Sequence, residues 1–338
     1  MNNNNLRQPV LVGDIGGTNA RFGLFDARSL TLEVSSVSTL PVAGYRGLAE
    51  AIHCYLDRMG LASDRIPASL AIAGPAEGQQ LTLVNGGWTF DRDELLDQAG
   101  LSSALYMNDF RAQSLAMGFL ADQGFVAESL VEVKSGTRLA DRNHLVMGPG
   151  TGLGVAGLIK HAGEWLALPG EGGHVSFGPT DEVDEAILRW FRKRFPRVSI
   201  ERILSGSGLE MLYQAMGEYE GLEAEALSAA AISCEALTDP DSLAHRTWQR
   251  FIYIIGSVAG DQVLTLGARG GVFLCGGILP RMKSQLQEGE FERGFLNKGR
   301  YREYLEAVPV HLCVASEPGL LGAALAWQQE QQAKTLIS

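Results

Sequence analysis

Two short glycine-rich stretches carry residue types that could do chemistry. The first is Gly13-Asp14-Ile15-Gly16-Gly17-Thr18-Asn19, with one carboxylate and one hydroxyl among small residues. The second is Gly148-Pro149-Gly150-Thr151-Gly152-Leu153-Gly154, again a hydroxyl among glycines. Turns of this composition leave backbone N–H groups bare. Such groups beside a carboxylate suit a phosphate chain with its metal ion. A third glycine pair, Gly276-Gly277, also follows an apolar run. Taken alone, the first stretch reads better as an ordinary Asn/Gly hairpin. Three such turns at the ends of apolar strands, with hydroxyls at Thr18 and Thr151, look like two jaws on a phosphate chain and a floor for a nucleoside.

The elements that must position these turns are strands. Apolar Pro9-Val10-Leu11-Val12 precedes the first turn and the alternating Ala20–Asp26 stretch follows it, so the glycines join two antiparallel strands rather than a strand and a helix. Strands are expected at 10–14, 20–25 and 30–39, then a helix over 45–59. Residues 68–73 form a short apolar run ending at Gly74-Pro75, which reads as a buried strand. Residues 81–85 read as an edge strand and 103–107 as another strand, ending at Asn108-Asp109 with a helix from Phe110. The order β-β-β-α-β-β-α-β-α implies a mixed α/β sheet. The second half starts afresh with strands at 143–147 and 155–159 around the second turn, a weak internal repeat of the opening device. Helices dominate 181–266. Strands at 271–275 and 308–314 and a helix after Pro318-Gly319 complete the chain. No low-complexity linker separates the halves, so an extended hinge is expected, and the cleft between them is the default site.

Composition narrows the function. The chain has 338 residues, enough for about two domains, and is 46% hydrophobic and 20% charged. A net charge of −11 argues against a polyanion-binding surface, while backbone amides can still hold a small anion. Cys54, Cys234, Cys275 and Cys313 are far apart with no CxxC pair, which suggests neither a zinc cluster nor a secreted disulfide scaffold. Residues 1–7 lack an apolar signal core and read as a disordered tail. The apolar run at 251–266 is too short to span a bilayer and reads as a buried helix. A cytoplasmic protein is expected.

Familiar signatures fail. GxxxxGK[ST] is absent, the glycines at 148–152 lead into a strand rather than a helix, and there is no GxSxG elbow. Glu171-Gly172-Gly173-His174 has a metal-site spacing, but its glycines argue against the helix such a site needs. Asp109 begins a helix, where the dipole favours its ionised form; the pair Asn108-Asp109 also reads as a helix cap. Glu171 and His174 also read as an exposed turn with incidental charge, and Glu201-Arg202 as a surface ion pair.

Asp14-Ile15-Gly16-Gly17-Thr18-Asn19-Ala20-Arg21 resembles the first phosphate motif of the actin/hexokinase/Hsp70 superfamily. With Asn108-Asp109-Phe110, residues 148–154, Leu168-Pro169-Gly170-Glu171-Gly172-Gly173-His174 and Glu201-Arg202-Ile203-Leu204-Ser205-Gly206, it resembles the bacterial glucokinases of the non-ROK group, from about residue 10 to 325. The cysteine-rich zinc motif of the related ROK kinases is missing after the glutamate/histidine segment. The resemblance implies an α/β fold of two ribonuclease-H-like (actin/hexokinase-type) domains around a central cleft, 8–118 with 317–335 and 119–316. It implies ATP-dependent phosphorylation of glucose to glucose 6-phosphate, with Asp109 as catalytic base. Asn108, Asp109, Glu171, His174 and Glu201 would contact glucose hydroxyls. ATP would lie on Gly13, Asp14, Ile15, Gly16, Gly17 and Thr18, on Gly150, Thr151 and Gly152, and on Gly276 and Gly277. Asp14 would orient Mg²⁺ through water. A homodimer and closure of the jaws on sugar binding are further implications.

Rival readings are a kinase for another hexose or amino sugar, a sugar-sensing regulator, and a chaperone- or filament-type ATPase. The regulator would want a basic face and an N-terminal helix-turn-helix, and the ATPase would lack a sugar-reading set beside the base.

Overall fold

The computed structural model describes residues 8–62, 64–83, 87–123 and 129–337. In chain order the strands and helices are β1 (Pro9–Ile15), β2 (Asn19–Asp26), β3 (Thr31–Pro41), α1 (Leu48–Arg58), β4 (Pro67–Ile72), β5 (Gln80–Thr82), β6 (Thr89–Asp91), α2 (Arg92–Ala99), β7 (Ser103–Asn108) and α3 (Asp109–Asp122). Next come β8 (Leu130–Lys134), β9 (His144–Pro149), β10 (Leu153–His161), β11 (Glu164–Leu168), α4 (Glu182–Arg192), α5 (Gly206–Glu220), α6 (Ala229–Thr238) and α7 (Leu243–Leu266). The chain ends with β12 (Gly271–Leu274), α8 (Lys283–Leu286), α9 (Glu290–Leu296), α10 (Arg302–Glu306), β13 (Val310–Cys313) and α11 (Pro318–Ile337). Two compact units result, Met1–Phe119 with Ser316–Ser338, and Leu120–Ala315.

The first unit holds a five-stranded sheet in the order β3-β2-β1-β4-β7, with the β1–β2–β3 meander antiparallel and β1, β4 and β7 parallel. From Ala68 onward β4 is buried at every residue, as a central parallel strand covered on both faces must be. Its core gathers Leu11, Phe22, Tyr55, Leu70 and Trp88. Helix α11 packs on β1 and β4, where buried Ser69 donates to the Ala323 carbonyl at 2.7 Å.

The second unit holds a six-stranded sheet in the order β11-β10-β9-β12-β13-β8. Its first five strands repeat the first sheet strand for strand: two antiparallel pairs, then two parallel ones. The repeat suggested by two glycine turns thus extends over five strands. Helix α7 contains the apolar run at 251–266 and is buried along most of its length, against α9, α5 and α6. Among the described residues, no helix is long and apolar enough to cross a membrane.

The expected strands and helices appear, with additions. Residues 80–82 pair with β6 in a separate two-stranded ribbon, so the expected edge strand at 81–85 is shorter, and Val84 and Asn85 lie outside the described residues, as do residues 1–7. Strands β8 and β11 at the rims of the second sheet and the β6 partner were not read from the sequence.

Buried His144, at the start of β9, stacks on Phe273 at 5.5 Å and meets Trp165 edge-on at 5.1 Å. Neither ring nitrogen meets a well-directed hydrogen-bond partner among the described residues. Burial, then the Arg138 guanidinium, hold its pKa down to about 4, with the Arg142 carbonyl opposing. A depressed histidine pKa means that the unfolded chain takes up the proton first as pH falls. The stability is complete above the ordinary histidine range and is lost between about pH 6.5 and 4, by roughly 3 kcal/mol. Urea midpoints should therefore fall with acid more steeply in the native chain than in His144→Phe; parallel acid limbs would refute this.

Candidate active site

In the first unit, the β1–β2 turn is fixed by backbone bonds. Gly16 N–H donates to the Asn19 carbonyl at 2.9 Å, Val42 N–H to Thr18 at 2.9 Å and Ala73 N–H to Ile15 at 2.8 Å. Ile15 pairs with Ile72, and Ile72 with Asn108, so the three parallel strands end in one row. The turn and the start of α3 therefore share a sheet edge, two strand spacings or roughly 10 Å apart. Asn108 caps α3: its Oδ1 accepts from Phe110 and Arg111 N–H at 2.9 and 3.2 Å, and its amide donates to the Gly74 carbonyl at 3.2 Å. The Asp109 carboxylate accepts from Phe110 N–H at 2.8 Å and is partly exposed at that edge. Capping thus falls mainly to Asn108, and Asp109 stands next to it.

Asp14 lies 3.6 Å from Arg21, whose Nε is 3.4 Å from Glu317 at the start of α11. A Cβ built on Gly319 would stand 2.6 Å from the Asp14 carboxylate, so the α11 backbone presses directly on it. Burial pushes the Asp14 carboxyl up, with Arg21 opposing. Burial also raises Glu317, Arg21 lowers it and Asp14 adds to the rise. Two carboxylates here share one guanidinium at distances longer than a tight charge-assisted bond. The donor set is all oxygen and has negative charge to spare, which fits a hard divalent cation. Sequence reasoning missed Glu317; its only signal was a carboxylate before Pro318-Gly319 at a helix start.

In the second unit, the Gly150–Gly152 turn closes with Gly150 N–H on the Gly152 carbonyl at 2.8 Å, and the Gly150 carbonyl accepts from Gly206 N–H at 2.9 Å. Glu201 seals this turn. Its Oε2 accepts from Leu153 N–H at 2.9 Å, and a Cβ on Gly152 would stand 2.5 Å from that oxygen. Its Oε1 lies 3.9 Å from His174 Nδ1, while His174 Nε2 lies 3.9 Å from Glu171. Glu171, His174 and Glu201 thus form one polar cluster, with Glu201 the least exposed of the three. Glu201 engages this cluster, and Arg202 instead stacks its guanidinium over Phe195. Gly172 and Gly173 pack on β10, where built Cβ atoms would meet Val155 Cβ at 2.8 Å and the Leu153 carbonyl at 2.3 Å. Their smallness docks the segment on its own sheet.

Gly276 has φ +85°, and a Cβ there would stand 2.4 Å from the Pro149 carbonyl. The 276–277 and 148–152 glycines are therefore neighbours. Of the sequence-derived set, 13–18, Asn108 and Asp109 gather at one edge of the first sheet. Thr151, the glycines at 150, 152, 276 and 277, and the Glu171–His174–Glu201 cluster gather at the ends of β9, β10 and β12.

The glucokinase family model matches residues 11–330. The glucokinase of Hahella chejuensis is 41% identical over 324 residues, covering 96% of this chain and 98% of its own. That of Marinobacter nauticus is 43% identical over 314 residues, covering 93% and 95%. The crystal structure of a glucokinase from an Antarctic psychrotroph superposes with a TM-score of 0.80 at 38% identity, covering 94% of this chain and 98% of its own. With the sheet edges and carboxylates in place, this chain belongs to the glucokinase family.

Proposed function

We propose that this chain transfers the γ-phosphoryl group of ATP to the 6-hydroxyl of glucose, giving glucose 6-phosphate. The observation that carries it is the row Ile15–Ile72–Asn108, which sets Asp109 and the phosphate-type turn on one sheet edge in a chain of this family. Asp109 accepts the hydroxyl proton as the phosphorus–oxygen bond forms, the small covalent task that phosphoryl transfer leaves to a protein. Glu171, His174, Glu201 and Asn108 hold sugar hydroxyls. Backbone amides of 13–18 and 150–152 hold the phosphates, and Gly276-Gly277 supports the adenosine.

Asp14 would hold Mg²⁺, with Arg21 and Glu317 fixing the carboxylate. The ion, when bound, neutralises charge on the phosphate oxygens. Residues 8–118 with 317–335 and residues 119–316 serve as the two domains, and the enzyme works as a cytoplasmic homodimer. ADP release measured across glucose, mannose, fructose, galactose and glucosamine tests the reading. Glucose should give a kcat/KM at least about tenfold above the others, a pocket-level discrimination. No sugar-dependent ADP release would refute the activity, and a preference for glucosamine would move it to an amino-sugar kinase.

A further inference from the structure

We propose that Cys275 and Cys313 form a hydroperoxide-oxidised thiol pair whose disulfide disturbs the adjoining glycine turns and weakens ATP binding, a coupling that rests on the nucleotide placement proposed above.

Strands β12 and β13 are parallel neighbours with Phe273 opposite His311 and Leu274 opposite Leu312. One residue on, both chains carry a cysteine. Alternation puts Cys275 and Cys313 on the same sheet face as Phe273 and His311, whose rings already stand 6.4 Å apart. Neighbouring strands hold opposed residues about 4.8 Å apart, inside the Cα range that a disulfide spans. Both side chains are buried, and each thiol perturbs the other's titration. All four cysteines are free thiols here, and Cys54 and Cys234 lie outside this pair.

The pair is chemically unequal. The Cys275 thiol and the Ala315 N–H beside it lower the Cys313 pKa despite burial. The bond to Cys313 and burial push the Cys275 thiol up. Cys313, also the less deeply buried of the two, is the attacking sulfur and Cys275 the resolving one. The Cys313 sulfur attacks the peroxide O–O bond as its own proton passes to the leaving oxygen, becoming a sulfenic acid and releasing alcohol, or water from hydrogen peroxide. The Cys275 sulfur then displaces water from the sulfenyl group and loses its proton, and the S–S bond forms. Two sulfurs give up two electrons in all, and one O–O bond is reduced. A small hydroperoxide suits a site too enclosed for a bulky disulfide donor.

The consequence follows from what Cys275 touches. Its N–H donates to the Met147 carbonyl at 2.8 Å, and a Cβ on Gly148 would stand 2.7 Å from the Cys275 carbonyl carbon. Gly276 is equally tight on Pro149. Drawing Cys275 toward β13 therefore pulls on the backbone that seats the 148–152 turn.

The test uses the full chain with Cys54→Ser and Cys234→Ser, treated with hydrogen peroxide, alkylated, digested and mapped by mass spectrometry. The expected result is a linked Cys275–Cys313 peptide lacking two hydrogens. The ATP KM rises about fivefold or more, the glucose KM stays within about twofold, and dithiothreitol reverses both. Cys313→Ser, compared with its own untreated activity, should show no peroxide response in ATP KM. Absence of the linked peptide while methionines are oxidised overturns the thiol pair. A linked peptide with unchanged ATP KM overturns the coupling while leaving the placement of nucleotide standing. A peroxide-driven rise in ATP KM that persists in Cys313→Ser assigns the effect to other residues and also overturns it.

Discussion

Asp109→Asn is expected to lower kcat by about 10³-fold, on the order of 4 kcal/mol of transition-state stabilisation, in the range a positioned general base supplies. The asparagine keeps an oxygen toward Phe110 N–H, and Asn108 continues to cap α3, so the helix start and the sheet edge should stay as they are. The glucose KM should therefore stay within about threefold, which separates a lost base from lost binding. Glucose should still raise the melting temperature of the variant as it does that of the native chain. A kcat within about tenfold of the native value would remove Asp109 from the role of base. A kcat loss accompanied by loss of the glucose-induced thermal shift would make it a binding residue instead.

Much of this site was legible because its positions are strand ends. The runs that become β1 and β4 are apolar and lead into glycine, and strands buried on both faces look like that in any sequence, whereas β7, at the rim of the sheet, buries only Met107 and is marked by its end at Asn108. What was not legible has physical causes. Helix α2 had no named span because it is polar, with only Leu95 and Ala99 buried. Strand β11 buries Trp165 and leaves Leu166 and Leu168 exposed, so its pattern names no core face. Glu317 reaches Asp14 only because α11 folds back on β1, a contact between opposite ends of the sequence that no local pattern encodes. The role proposed for Asp109 came from family resemblance, since an aspartate at a helix start is usually a cap. The docking of Gly172 and Gly173 on β10 was not legible, because a glycine that packs on a sheet carries no signal of it in sequence.

Glu201→Ala is the second variant with a large expected effect, because one carboxylate joins the two tasks proposed for the second unit. Its Oε2 holds Leu153 N–H and rests on Gly152, and its Oε1 faces His174. Alanine leaves the Leu153 N–H without its acceptor, opens space under the Gly150–Gly152 turn and frees the His174 ring. Losing a charged acceptor and a reading group together should raise the glucose KM about 10²-fold, or roughly 3 kcal/mol. The ATP KM should rise by a smaller factor, about threefold to tenfold, as the turn loosens. Glu201→Gln separates the two contributions. Its amide oxygen can still accept from Leu153 N–H, so the ATP KM should return to near the native value. The charge facing His174 is gone, so a glucose KM about tenfold above native should remain. Equal effects of alanine and glutamine on the ATP KM would mean that the turn does not depend on the Leu153 bond. An unchanged glucose KM in the alanine variant would take Glu201 out of the sugar-reading set.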